Sequence, residues 1–129
     1  MSDIGQRIIA EVRQLASENY AFVYPYFNCV YREGGPASTL QGGPASCLMG
    51  RALDNLGLLP DDTAGLEAKG IAKVLDILQI SVDDSERAWL IAAQMAQDGR
   101  HPSPAVFESE LGRASWGRAV GIADESVPL

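Results

Sequence analysis

The sequence predicts a mainly α chain of the α+β kind, with five or six helices packed around a small two- or three-stranded antiparallel β element. Three observations carry this. Apolar side chains recur at helical spacing in several separate segments. One segment, "YAFVYPYFNCVYRE", has strand chemistry instead, holding six of the nine aromatic residues between Tyr20 and Tyr31 beside the β-branched Val23 and Val30. At 129 residues the chain is long enough for one core and too short for two, so a single globular domain over 1–129 is expected.

The first helix is read over residues 3–18, where Ile4, Ile8, Val12 and Leu15 form one stripe and Ser2 or Asp3 stands ready as its cap. The aromatic segment follows. Pro25 divides it into two short strands or forces it to a sheet edge, and strand alternation would put Tyr20, Phe22 and Tyr24 on one face. These rings either cover the core or, together with Tyr26, form an aromatic patch that binds a partner.

Then "GGPASTLQGGPASC" writes the same five letters twice. The second copy runs into "SCLMGRALDNLG", where Met49, Leu53 and Leu56 keep helical spacing, Gly57 suits the helix end and Ser46 is the expected N-cap. The first copy is followed only by Thr39, Leu40 and Gln41 before the turn returns, so it reads as an inserted loop.

Downstream, "PDDTAGLEAKG" holds a short capped turn. Ile71, Val74, Leu75 and Leu78 then mark a third helix. "SVDDSERAWLIAAQMAQDG" offers Ser81–Asp84 or Asp83–Glu86 as a capping box, packs Trp89, Ala92, Ala93 and Ala96, and ends near Gly99. In "SPAVFESELG", Pro104 sits where a helix favours proline. "SWGRAVGIAD" is a last short helix with Trp116, Val120 and Ala123 on one side, followed by a loosely held tail after about residue 124.

Seventeen acidic residues against ten basic ones leave a net charge of −7. That balance argues against nucleic acid and membrane surfaces, whose phosphates need Lys and Arg, and favours a basic partner surface. No basic stretch before an apolar one marks a secretory signal, and no apolar run reaches the ~18 residues of a membrane span. With only Cys29 and Cys47, the expectation is a cytoplasmic protein with reduced thiols.

Most catalytic patterns fail. A phosphate-binding loop needs Gly-Lys-Ser/Thr where the chain has Cys47-Leu48-Met49-Gly50-Arg51. One histidine, two separated cysteines and no spaced carboxylates give no metal site, so neither a metal nor another cofactor is expected. One catalytic arrangement survives: Cys47 at a helix start, where the dipole lowers a thiol pKa, with His101 as its base. A buried, inert cysteine is the commoner use of such a residue.

At "CVYREGGPASCLMGRALDNLGLLPDD" the chain resembles small uncharacterised proteins of actinobacteria and actinobacteriophages. Their motif is Gly-Pro-Ser-Cys-x-x-Gly-x-Ala-Leu, with a C-terminal Trp-Gly-x-Ala-Val segment. The matching residues are Tyr31, Pro44, Ser46, Cys47, Gly50, Ala52, Leu53 and Gly57, then Ala96-Gln97-Asp98-Gly99 and Trp116-Gly117-Arg118-Ala119-Val120. Ala45, the repeated GGPAS unit and an insert before Trp116 depart from the pattern. The resemblance implies a cytoplasmic protein acting inside a bacterial host, phage-encoded or host-encoded, and carries no catalytic role.

Two functions follow as expectations. The leading one is a non-enzymatic interaction or regulatory protein, a phage accessory factor that binds a host protein through Tyr20, Phe22, Tyr24 and Tyr26, with self-association left open. The alternative is a small cysteine-dependent enzyme using Cys47 and His101. The balance leans against an enzyme.

Overall fold

A computed structural model describes residues 2–25, 30–32, 45–100 and 113–129. Five helices form among them: α1 (Asp3–Glu18), α2 (Leu48–Asn55), α3 (Ile71–Ile77), α4 (Asp84–Asp98) and α5 (Trp116–Ser126). α4 lies at the centre and packs against the other four, while α1 also meets α2 and α5.

Each helix follows from its local chemistry. Ser2 caps α1 by accepting the Gly5 N–H, and Ile8, Val12 and Leu15 turn inward. Asp83 and Glu86 form the capping box of α4, so of the two candidate boxes the later one is used. Trp89, Ala92, Ala93 and Ala96 are the buried face of α4, and Gly99 ends it at φ 75°. α5 runs through Ser126, and the Val127 N–H still reaches the Ala123 carbonyl at 2.9 Å. The helix expected at "SPAVFESELG" lies outside the described residues, as do the first GGPAS copy and most of the second.

The expected β element is not seen among the described residues. Among the described residues the only β pairings are two isolated antiparallel bridges, Val23 with Ser115 and Arg32 with Ala45, and no sheet forms. The expected α+β class is therefore corrected to an all-helical one. The aromatic segment still has strand-like residues, but its hydrogen bonds go elsewhere. Phe22 and Tyr20 carbonyls accept the N–H groups of Trp116 and Gly117, the first two residues of α5, at 2.9 and 3.0 Å. The Val30 and Tyr31 carbonyls accept from Cys47 and Ser46 at the start of α2. The N–H groups of Tyr31 and Arg32 donate to the two Glu67 carboxylate oxygens at 2.8 and 3.2 Å. The segment is thus a strap that satisfies the unpaired ends of helices. Those backbone groups, spent on helix ends and on Glu67, are not available to a neighbouring strand.

Arg32 fastens the strap further. Its guanidinium is buried, donating to the carbonyls of Pro60 and Leu59 and pairing with Asp54 at 2.7 Å. Gly50 lets the strap lie this close, because a Cβ there would run into the Tyr31 backbone.

Candidate functional site

The strap delivers its aromatic side chains in two directions. Tyr20 is 62% exposed and Phe22 41% exposed. Phe22 meets the Trp116 ring edge-on, with centroids 4.8 Å apart. The Tyr20 ring lies directly on Gly117, where any Cβ would overlap it. Both backbones are pinned to α5 by the two hydrogen bonds above, so these rings sit on a rigid platform. The Arg51 guanidinium also lies over the Trp116 ring, 5.1 Å from its centre. Trp116 itself is fully covered.

Tyr24 goes the other way. It is 1% exposed, and its hydroxyl lies 2.9 Å from Ser46 Oγ and 3.2 Å from the Val30 N–H that donates to it. Its place in the proposed contact surface is a correction: residues 19–21 form a turn and Val23 makes only an isolated bridge, so no strand alternation holds Tyr24 on one face with Tyr20 and Phe22. Tyr26 lies outside the described residues.

Cys47, not Ser46, caps α2, and its Sγ accepts the Gly50 N–H at 3.3 Å. Ser46 instead spends its hydroxyl on Tyr24. Cys47 is 0% exposed and held in a disulfide, which overturns the expectation of free thiols. The other cysteine of the chain, Cys29, and the expected base, His101, both lie outside the described residues. A buried sulfur in a disulfide offers no thiolate, so the nucleophile reading has no nucleophile in this state. The argument from reduced thiols to a cytoplasmic compartment lapses with it.

The chain's buried polar cluster was not read from the sequence. Along one face of α4, the Gln94 amide carbonyl accepts the Ile71 N–H at 2.6 Å and its NH2 donates to the Tyr31 hydroxyl at 3.0 Å. One turn on, Gln97 Oε1 accepts both the Leu48 N–H at 2.9 Å and the Trp116 indole N–H at 3.0 Å. Gln97 then donates to Asp98 at 3.0 Å. Two glutamines of one helix thereby serve the N-termini of α2 and α3.

Burial raises the Tyr31 phenol well above its usual range and pushes the Asp98 carboxyl up to about 6 against the pull of Gln97, Arg100 and Arg113. Beside this cluster lies a pocket of about 110 Å³ bordered by Lys69, Gly70, Gln94, Met95 and Asp98. That is well below the roughly 300–1,000 Å³ of ordinary ligand sites. Its Gln94 is engaged in tying Ile71 and Tyr31 to α4, and we assign the pocket no ligand.

Among the described residues no group of three or more His, Cys, Asp or Glu stands together as a metal site, and no helix is long and apolar enough to cross a membrane. No family model, curated protein or solved structure matches the chain.

Proposed function

We propose that this is a non-enzymatic interaction protein whose contact surface is centred on Tyr20 and Phe22. The observation that carries the reading is the placement of these two rings, more than two fifths exposed yet pinned through their backbones to the first turn of α5. Aromatic side chains on rigid backbone lose little entropy when a partner covers them, which is why such residues dominate binding energy at interfaces. The buried, oxidised state of Cys47 supports the same reading by removing the nucleophile of the enzymatic alternative. The resemblance to actinobacterial and phage proteins extends it to a phage accessory factor acting on a host protein.

The test is affinity purification of the tagged chain from an actinobacterial lysate, beside a Tyr20→Ser, Phe22→Ser double variant that retains its helical circular dichroism. A discrete protein recovered with the native chain and lost with the variant is the expected result. Equal recovery by both chains overturns the assignment of the surface.

A further inference from the structure

We propose that the Tyr20–Phe22 surface, together with Arg51, docks an acidic polypeptide segment that carries an apolar side chain. This rests on the interaction reading above and adds the chemistry of the partner.

The argument is local charge. The chain as a whole is acidic, yet the stretches that adjoin the two rings in sequence or through backbone hydrogen bonds hold few carboxylates. The strap from Asn19 to Pro25 contains no charged residue at all. The first turn of α5 contains one charged residue, the exposed Arg118, and the first turn of α2 has no acid. Glu18, at the end of α1, is the one carboxylate adjoining the strap in sequence.

Three other arginines are committed to carboxylates: Arg13 to Asp124, Arg32 to Asp54 and Arg87 to Asp76. Arg51 is used differently. Its Nε donates to the Ser46 carbonyl at 3.2 Å, its guanidinium lies on Trp116, and it makes no ion pair among the described residues. A guanidinium held against a ring and anchored through its Nε has N–H donors to spare and little rotamer entropy left to lose, which suits it to a carboxylate. Phe22 touches the same indole, so an apolar side chain and a carboxylate one or two residues apart could reach both. Of the carboxylates close to Arg51 and Trp116, Asp54 is paired with Arg32 and Asp98 lies half-buried behind Gln97, while charges farther off are screened beyond ~8 Å in physiological salt.

The experiment selects a random peptide library, displayed on phage, against the immobilised full chain. Phe22→Ser, Arg51→Gln and Arg51→Lys variants of matched thermal stability are run beside it. The expected pool is rich in Asp and Glu next to an aromatic or aliphatic residue, and it is lost on Phe22→Ser. Binding of its members weakens about fivefold on Arg51→Gln, weakens again with added salt, and recovers in part with Arg51→Lys. A pool that needs Phe22 but shows no acidic excess, or ignores Arg51→Gln, overturns the acidic partner and leaves the interaction reading standing. The absence of any pool dependent on Tyr20 or Phe22 overturns both. Sedimentation showing a dimer of the chain closed over Phe22 also overturns the proposal, because the occupant is then a second copy.

Discussion

Gln97 Oε1 accepts hydrogen bonds from the Trp116 indole and the Leu48 backbone at once, at 3.0 and 2.9 Å. One side-chain oxygen of α4 therefore holds the first residue of α5 and the first residue of α2. The same Trp116 ring supports Phe22 and Arg51. The exposed surface and the buried polar cluster thus share one indole, and damage to the cluster should reach the surface.

Gln97→Leu is expected to destabilise strongly. Gln97 is 0% exposed, so leucine fills most of the volume but strands two buried donors, each costing about 1–3 kcal/mol. Urea denaturation should show a loss of about 2–5 kcal/mol. A loss below about 0.5 kcal/mol would mean that water or a shifted neighbour satisfies both donors.

Two glycines in helices should respond to alanine with opposite signs. At Gly50 a Cβ would collide with the Tyr31 carbonyl and Cα, so Gly50→Ala must push the strap off α2 and should cost about 1–3 kcal/mol or more. At Gly121 in α5 no atom of the described residues lies within 4 Å of where a Cβ would stand. Gly121→Ala should therefore gain about 0.5–1 kcal/mol from helix propensity alone. Thermal melts of the two variants, side by side, check the contrast.

Sequence reading found the helices because their signals are local. The stripes of Ile8, Val12 and Leu15 or Val74 and Leu75, and the box of Asp83 with Glu86, all lie within a turn or two of one another. It failed where the deciding partner is distant. Strand chemistry at Tyr20–Arg32 called for a strand neighbour, but Glu67 takes the N–H groups of Tyr31 and Arg32, and the starts of α2 and α5 use the carbonyls. No periodicity announces such pairings. The cap of α2 was missed by a single residue, because Ser46, the better capping side chain, is drawn away by Tyr24. Of the four aromatic residues assigned to a contact surface, Tyr20 and Phe22 are exposed and Tyr24 is core. The rest of the platform, Arg51 and Trp116 with Gly117, carried no signal that separated it from ordinary helix positions.

Cys47 has two structural tasks, cap and crosslink, and substitutions separate them. Native protein alkylated under denaturing conditions without reductant should show Cys47 unmodified, since its sulfur is already bonded. Cys47→Ser keeps a cap acceptor for the Gly50 N–H and loses the crosslink, at a cost of about 2–4 kcal/mol. Cys47→Ala loses both and should fall about 1 kcal/mol further. Reductant should lower the melting temperature of the native protein and leave both variants unmoved. A native chain indifferent to reductant would show that the crosslink contributes nothing to stability.

Asp98 should make stability depend on pH. Burial raises its carboxyl from 3.8 to about 6 in the folded protein, whereas the unfolded chain keeps a value near 3.9. A raised acid favours its protonated form in the fold, so the stability it contributes is complete below about pH 4 and is lost as pH rises through about 6. The two-unit difference corresponds to about 3 kcal/mol at neutral pH relative to acid conditions, as an upper figure. Asp98 is also the last residue of α4, where a negative charge opposes the helix dipole. Asp98→Asn removes the titration yet keeps an amide oxygen to accept the Gln97 NH2 now given to Oδ1. The variant should be more stable than the native chain at pH 7 by about 1–3 kcal/mol, with the gain shrinking towards zero near pH 4. Denaturation midpoints collected between those limits test both sign and window. A gain that stayed constant across the range, or one that grew as pH fell, would show that the Asp98 carboxylate is not the group responsible.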